Sequence, residues 1–211
     1  MDKVDLLKNF ISSNNVKLDE LLKFTATIDK MTSVIRRTTL LDMSRLENDA
    51  EHSWHIAIMA LFFKDFAIEK VDVNHAVELL LMHDLVEIYA GDTFAYDVEG
   101  NKTKKDREDA AAKKLASLLP KEYASYYLSC YQEFEDKVTS EAKYADCMDK
   151  LQPFLHNALT EGFTWKNATP PTVATLVYQR MSILKDFMPE VYLWVEKSIE
   201  HAIQNNWLVD K

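Results

Sequence analysis

The chain has 211 residues, and its formal net charge of −9 disfavours a general nucleic-acid binder, which needs a positive field to meet phosphates. It has three glycines and neither of the common glycine-rich phosphate loops, so dinucleotide- and P-loop-binding folds lose their main sequence support. Residues 1–13 lack the apolar core of a signal peptide, and no apolar run approaches the ~18 residues of a membrane span. We therefore expect a cytoplasmic protein with no membrane partner.

The predicted elements are helices, because apolar residues recur at three- and four-residue steps and strand-like alternation is nowhere sustained. In chain order, the pattern predicts helices over residues 17–35, 49–69, 74–90, 106–119, 121–137, 139–161, 170–187 and 189–206. Gly91 and Gly162 should end the third and sixth helices, and Pro153 should kink or divide the sixth. Residues 97–107 are the best loop candidate. No linker splits the chain, so we expect one all-α domain over residues 1–211.

The segment LLLMHDLVEIYAGD, residues 79–92, places four titratable side chains in a nearly apolar helix. Glu87 lies four residues after His83 and three after Asp84, so these three share one helical face, and Asp92 follows the helix end. A buried helix cannot leave such groups unpaired, because an isolated buried charge is very costly. A divalent cation would satisfy them, and imidazole together with carboxylate suits Mn, Fe, Co, Ni or Zn.

One adjacent His-Asp pair does not complete a metal site, so further ligands must come from other helices. The candidates are His52, near the start of the second predicted helix, and Asp149, in the mainly apolar sixth helix. With His83 and Asp84 they would supply two nitrogens and two oxygens and leave positions for water and substrate. Taken singly, however, His52 is better explained as a hydrogen-bonded core residue and Asp149 as a surface charge.

Three blocks in order, RLENDAEHSWH, HDLVEIYAGDTFAYD and DKLQPFLHNALTEGFTW, resemble the HD-domain metal-dependent phosphohydrolases. The resemblance is to the subgroup that contains the bacterial 5'-deoxynucleotidases and their relatives. It implies an HD-domain helical bundle, with the metal site in residues 36–165 and the helices of residues 170–206 packed on it. It also implies a homodimer and one divalent metal ion, which the mixed ligands do not identify among Mn, Co, Fe, Ni, Zn and Mg.

The resemblance also implies roles for residues in these blocks. The implied metal ligands are His52, His83, Asp84 and Asp149. Asp146 is the rival for the last position, and Asp149 is preferred because it opens the DKLQP block. Glu87 matches the catalytic glutamate of HDxxE, which orients or deprotonates the attacking water. Asp92 matches the aspartate eight residues after the HD aspartate and would protonate the leaving alkoxide or hold the sugar; without the resemblance, a turn residue is the better explanation.

A phosphate ester also needs a cationic group, and the resemblance assigns this role to Arg37, fifteen residues before His52. A guanidinium binds phosphate in a bidentate manner. The neighbouring Arg36 is the alternative, and two solvated arginines are as good an explanation of the pair. The tryptophan that follows the arginine in the deoxynucleotidases is replaced by Thr38. Selectivity for deoxyribose is therefore not implied here.

Other polar residues fit supporting roles. Residues around the first ligand would orient it, although helix capping and surface pairing explain them nearly as well: Arg45, Glu47, Asn48 and Glu51. His55 fits a packing or supporting residue better than a ligand. The basic run Lys102, Lys104, Lys105 and Arg107 fits a solvated loop, with a lid over a phosphate as the alternative.

The sequence thus predicts a metal-dependent phosphomonoesterase for a small phosphorylated metabolite, with a nucleoside 5'-monophosphate as the first expectation. Arg37 would hold the phosphate, Glu87 would prepare the water, and Asp92 would assist departure of the sugar oxygen. Two alternatives stay open. One is a non-catalytic metal-bound module that senses a nucleotide or scaffolds a dimer. The other is cleavage of a phosphodiester or a nucleoside triphosphate on the same scaffold.

Overall fold

The computed structural model describes residues 7–211, so the part of the signal-peptide prediction that depends on residues 1–6 lies outside the described residues. Within residues 7–211 the chain forms eleven α-helices and one two-stranded sheet. In chain order the elements are α1 (Val16–Ile28), β1 (Ile35–Thr39), β2 (Leu46–Asn48), α2 (Asp49–Phe63), α3 (Val73–Met82), α4 (Glu87–Ala90), α5 (Val98–Asn101), α6 (Lys104–Ala116), α7 (Lys121–Asp136), α8 (Ser140–Leu159), α9 (Phe163–Asn167), α10 (Ala174–Phe187) and α11 (Pro189–Gln204). The predicted all-α class is confirmed.

The small sheet is an addition to the predicted elements. Strands β1 and β2 pair antiparallel with an irregular register, Ile35 opposite Asn48 and Thr39 opposite Leu46. The predicted helix over residues 17–35 is wrong beyond residue 33, because α1 ends at Ile28 and a 3-10 segment, Asp29–Ser33, leads into β1. The sequence of β1, IRRTT, has no hydrophobic alternation, and its strand state depends on pairing with β2, which begins seven residues later.

Two predicted helices are shorter or more divided than their hydrophobic pattern indicated. The helix over 49–69 ends at Phe63 and is followed by a 3-10 segment, Lys64–Phe66. The helix over 74–90 is interrupted before α4 by a third 3-10 segment, His83–Val86. Gly91 ends α4 as predicted, with a positive φ of 76°. The loop predicted over 97–107 contains α5 and the start of α6.

Helix α8 lies at the centre of the molecule. It contacts α2, α3, α7, α10 and α11. It continues through Pro153, so the predicted division does not occur. The missing proline N–H removes one intrahelical bond, but buried side chains on both sides, including Leu151 and Phe154, hold the helix in the core.

The segment that carries His83 and Asp84 lies between two hydrophobic clusters. Leu79 and Leu80 at the end of α3 belong to the larger cluster, which includes residues of α2, α7, α8, α10 and α11. Leu85 and Val86 belong to a smaller cluster with residues of α6 and α7. Burial on both sides fixes the polar residues between them. Among the described residues, no helix combines the length and apolar character that a membrane span needs.

Candidate active site

Four of the predicted site residues converge beside the middle of α8. His52 Nε2 lies 3.1 Å from Asp149 Oδ1 and 3.7 Å from Asp84 Oδ2. His83 Nε2 lies 3.0 Å from Asp84 Oδ1 and 3.8 Å from Asp149 Oδ1. The four side chains come from α2, from the 3-10 segment after α3 and from α8. The fold therefore brings together two imidazole nitrogens and two carboxylates that are distant in sequence.

Both imidazoles are held through the nitrogen that faces away from the carboxylates. His52 Nδ1 lies 2.9 Å from Gln152 Oε1, and His83 Nδ1 lies 2.8 Å from the Leu80 carbonyl oxygen. Because these oxygens accept, Nδ1 of each ring carries the hydrogen. In the neutral ring, Nε2 then presents a lone pair to the carboxylates, which is how a histidine is prepared to bind a metal.

The donor set fits a divalent cation. His83 Nε2 is buried, and although Asp84 Oδ1 lies 3.0 Å away, this nitrogen makes no hydrogen bond among the described residues. Lone pairs and carboxylates directed at one point repel each other unless a positive charge lies between them. Burial opposes charge on His83, but the Asp84 and Asp149 carboxylates outweigh it and raise its pKa to about 10. The carboxylates thus favour a positive charge at this point, which a divalent cation would supply.

The two candidate aspartates of α8 have different surroundings. Asp149 faces the histidines, and its other oxygen, Oδ2, lies 3.6 Å from Arg180 Nη2 of α10. Asp146 is buried one turn earlier, where it pairs with Lys137, 2.6 Å from Oδ1, and with Lys150. The geometry therefore places Asp149, and not Asp146, among the potential ligands.

A second group of carboxylates lies next to the first. Oxygens of Asp49, Glu87 and Asp92 lie within 4.8 Å of one another. Burial, followed by the charge of Asp84 and a hydrogen bond with Asp49, raises the pKa of Glu87 well above its usual value. Burial also raises the pKa of Asp92. Sequence reasoning missed Asp49, because an acid in the first turn of a helix is adequately explained by the helix dipole.

Arg36 and Arg37 occupy different environments. Arg36 Nη1 lies 2.9 Å from Asp84 Oδ2 and 3.0 Å from Asp49 Oδ1, so its charge is balanced by buried carboxylates. Arg37 is exposed, lines the same cavity and makes no ion pair among the described residues; its guanidinium lies 5.9 Å from the centre of the Phe94 ring. The neighbouring Thr38 is buried in the cavity wall. Of the two arginines, Arg37 is the one free to bind an anion.

A buried hydrogen-bond network supports His52. Gln152 accepts from His52 and donates through Nε2 to Glu47 Oε2 at 2.8 Å, and His156 Nε2 lies 3.1 Å from the same amide nitrogen. Burial raises the pKa of Glu47 to about 7. His55 Nδ1 lies at the edge of this network, 3.4 Å from Gln152 Nε2. Sequence reasoning missed Gln152, although it lies three residues after Asp149 on the same helical face.

The other residues near the first ligand act at the helix start. Asn48 and Glu51 form a reciprocal capping box at the beginning of α2, and Arg45 pairs with Glu51 at the surface. Of the four predicted supporting residues, Glu47 alone joins the network around His52 within the described structure.

The basic run predicted as a loop is divided among three environments. Lys102 and Lys105 make surface ion pairs with Glu99 and Asp109. Arg107 ties the loop after α4 to α6 through the Ala90 carbonyl and the Thr93 hydroxyl, at 2.7 and 2.8 Å. Lys104 lines the cavity. Aromatic residues also line the cavity, among them Phe94, Tyr96, Phe154 and Trp165.

A buried His-Asp pair lies between helices beside a histidine and an aspartate from two other helices, and this His/Asp cluster is able to hold a metal ion. The HD domain family model matches residues 28–192, and the chain belongs to this family, as its sequence blocks predicted. The chain is 38% identical to a crystal structure described as a predicted metal-dependent phosphohydrolase from Magnetospirillum magnetotacticum MS-1, with a TM-score of 0.86. That match covers 94% of this chain and 98% of the other.

Curated relatives of this chain carry a named activity. The chain is 27% identical to 5'-deoxynucleotidase HDDC2 of Homo sapiens and 29% identical to that of Bos taurus. Each match covers 64% of this chain, and the chain spans 65% of the length of each of these relatives.

Proposed function

We propose that this protein is a metal-dependent phosphomonoesterase that releases phosphate from a nucleoside 5'-monophosphate or a similar small phosphorylated metabolite. The observation that carries the proposal is the convergence of His52, His83, Asp84 and Asp149, with both imidazoles held through Nδ1. The activities named for the similar proteins support the same reaction class.

These four residues would hold one divalent cation. Bound there, the cation would polarise a phosphoryl oxygen and acidify water, which is the chemistry that HD ligand sets supply. The mixed nitrogen and oxygen donors accept several first-row metals.

Glu87 takes the proton of the attacking water in this proposal. Its carboxyl is buried beside Asp84, and its raised pKa makes it a stronger base once it is ionised. Asp92 gives a proton to the departing sugar oxygen, and its carboxyl oxygen lies within 4.8 Å of oxygens of Glu87 and Asp49, so a proton taken up by this group of carboxylates can reach it. Arg37 binds the phosphate at the cavity mouth, and the products are a nucleoside and inorganic phosphate.

The decisive experiment separates metal binding from turnover. We expect Asp84→Asn to lose both bound metal and activity, because it removes a ligand. Glu87→Gln should keep the metal and lose turnover by about 10²- to 10⁴-fold, the usual contribution of a general base. Metal content is measured by mass spectrometry, and phosphate release is measured on a panel of nucleoside monophosphates with Mn, Co or Mg.

Glu99→Gln, in an exposed ion pair with Lys102, is the matched control and should behave as wild type. Full turnover in Glu87→Gln would show that another group prepares the water. Tight nucleotide binding without phosphate release by the wild type would favour the sensor alternative.

We further propose that the chain works as one domain in the cytoplasm, on small substrates and not on nucleic acid, and as a homodimer. The larger hydrophobic cluster, which extends from α2 to α11, supports a single folding unit. An apolar groove supports the dimer. It is lined by Met59, Phe63, Phe66, Leu151, Leu155, Val191 and Trp194, with Glu190 as its one charged lining residue among those described.

A further inference from the structure

The cavity beside the metal centre is elongated along α8. The residues of α8 that line it recur at three- and four-residue steps and so form one stripe: Asp146, Asp149, Lys150, Pro153, Phe154 and Asn157. With 1.5 Å of rise per residue, the stripe extends about 16 Å. A ligand bound along it would meet different chemistry at its two ends.

One end of the stripe is suited to a nucleoside. Asn157 Oδ1 accepts the backbone N–H groups of Thr164 and Trp165, and the Trp165 ring lies 5.5 Å from that of Phe154. The Thr164 hydroxyl also donates to the Arg37 carbonyl at 3.2 Å, which places β1 at this end. Aromatic side chains and the backbone of Arg37 therefore lie together at this end.

At the other end of the stripe, two lysines contact the same buried carboxylate, that of Asp146. Lys137 Nζ lies 2.6 Å from Asp146 Oδ1, and Lys150 Nζ bonds Oδ2 of the same residue. Asp146 is 1% exposed. Two ammonium groups thus contact one carboxylate, and Glu135 of α7 also lines the cavity.

Neutralisation of Asp146 does not account for both lysines. One ammonium group balances one carboxylate, and each ammonium has three N–H donors. In the described structure, Asp146 is the one acceptor that Lys137 and Lys150 contact, so donors of both remain available to a ligand. Lys150 follows Asp149 directly in the chain, and its side chain is 15% exposed, so it lies inside the cavity next to the metal centre.

We propose that Lys137 and Lys150, held by Asp146, form a second anion subsite for a phosphate group beyond the scissile one. The preferred substrate would then be a nucleoside 5'-diphosphate. This inference rests on the proposed function, which puts the scissile phosphorus at the metal centre, between the two ends of the α8 stripe. Water oxygen bonds to the phosphorus attached to the sugar, the bond from phosphorus to the sugar oxygen breaks, and that oxygen takes a proton. The products are a nucleoside and pyrophosphate.

The first test is direct binding, which needs no turnover. The full-length protein is titrated with inorganic pyrophosphate and with inorganic phosphate in a calorimeter. We expect Lys137→Met to weaken pyrophosphate binding at least tenfold and to leave phosphate binding within about threefold. Lys105→Met, which breaks a surface ion pair with Asp109, is the matched control and should change neither. Equal affinity of wild type and Lys137→Met for pyrophosphate would overturn the subsite.

The second test compares kcat/KM for a nucleoside 5'-monophosphate and the 5'-diphosphate of the same nucleoside. Wild type should prefer the diphosphate at least tenfold, and Lys137→Met should lose that preference through the diphosphate alone. An equal loss on both substrates, or no loss, would contradict the proposal. If neither nucleotide is hydrolysed, the proposed function fails, while the pyrophosphate titration still decides the subsite. Lys137→Gln repeats both tests if the methionine variant does not fold.

Discussion

Arg36 and Arg37 are adjacent in β1 and both line the cavity, but their guanidinium groups have different surroundings. Arg36 contacts Asp49 and Asp84 in the interior, and its side chain is 11% exposed. Arg37 reaches the cavity mouth. The sequence left the choice between them open, since spacing alone does not show which face of a short strand is covered.

The two arginines should therefore respond differently to substitution. We expect Arg37→Ala to raise KM by about 10- to 100-fold with an unchanged melting temperature, because a charge-assisted phosphate contact is lost. Arg36→Met should lower the free energy of unfolding by about 3–5 kcal/mol, because it leaves buried carboxylates without their partner. Steady-state kinetics and urea unfolding measure the two effects. The opposite pattern would assign phosphate binding to Arg36.

The burial of Glu47 can be tested by the pH dependence of the free energy of unfolding. Its pKa is raised from 4.5 to about 7, mainly by burial, so the folded state binds the proton more tightly than the unfolded state does. Its contribution to stability is complete below pH 4.5 and is lost as pH rises through 7. In urea unfolding of the metal-free protein from pH 4.5 to 8, we expect Glu47→Gln to flatten this decline by roughly 1–3 kcal/mol. Glu51→Gln should not flatten it, since the pKa of Glu51 is lowered by its hydrogen bond to Arg45.

At the scale of elements, the site depends on how short segments begin and end. His83 and Asp84 lie in a 3-10 segment and Glu87 begins α4, so three-residue spacing places Asp84 and Glu87 side by side. Sequence periodicity correctly grouped these residues on one face, although it predicted one continuous helix. It did not indicate β1 and β2, whose pairing depends on contacts outside either segment. Asp49 was also unpredictable, because nothing local directs its carboxylate inward.

The start of α2 controls the position of His52. Asn48 and Glu51 cap this helix reciprocally, and His52 follows in the first turn. We expect Asn48→Ala to cost about 1 kcal/mol of stability and also to weaken metal binding, because fraying of that turn displaces a ligand. Asn15→Ala, which removes the similar cap of α1 away from the site, should reduce stability alone. Equal metal affinities in the two variants would show that the cap does not position His52.

At the scale of the whole molecule, the apolar groove between α2, α8 and α11 is a surface that a second copy would cover. Phe66 and Trp194 in its lining are 42% and 40% exposed. We expect Phe66→Asp to shift the protein toward a monomer in sedimentation velocity, because a charge would enter an apolar interface. Val16→Asp, at an exposed position of α1, is the control. A wild-type monomer at micromolar concentration would contradict the homodimer.

The contact between Arg180 and Asp149 has a consequence for how this chain can evolve. The three sequence blocks that identify the metal centre all end before α10, yet a side chain of α10 reaches one of its aspartates at 3.6 Å. Recombination between related genes could exchange the carboxyl-terminal helices and leave Asp149 in place. Asp149 would then face a different residue at position 180, and its electrostatic environment would change. The three blocks and α10 are expected to evolve as one unit, and a chimera that joins them from different parents needs a compatible residue at position 180.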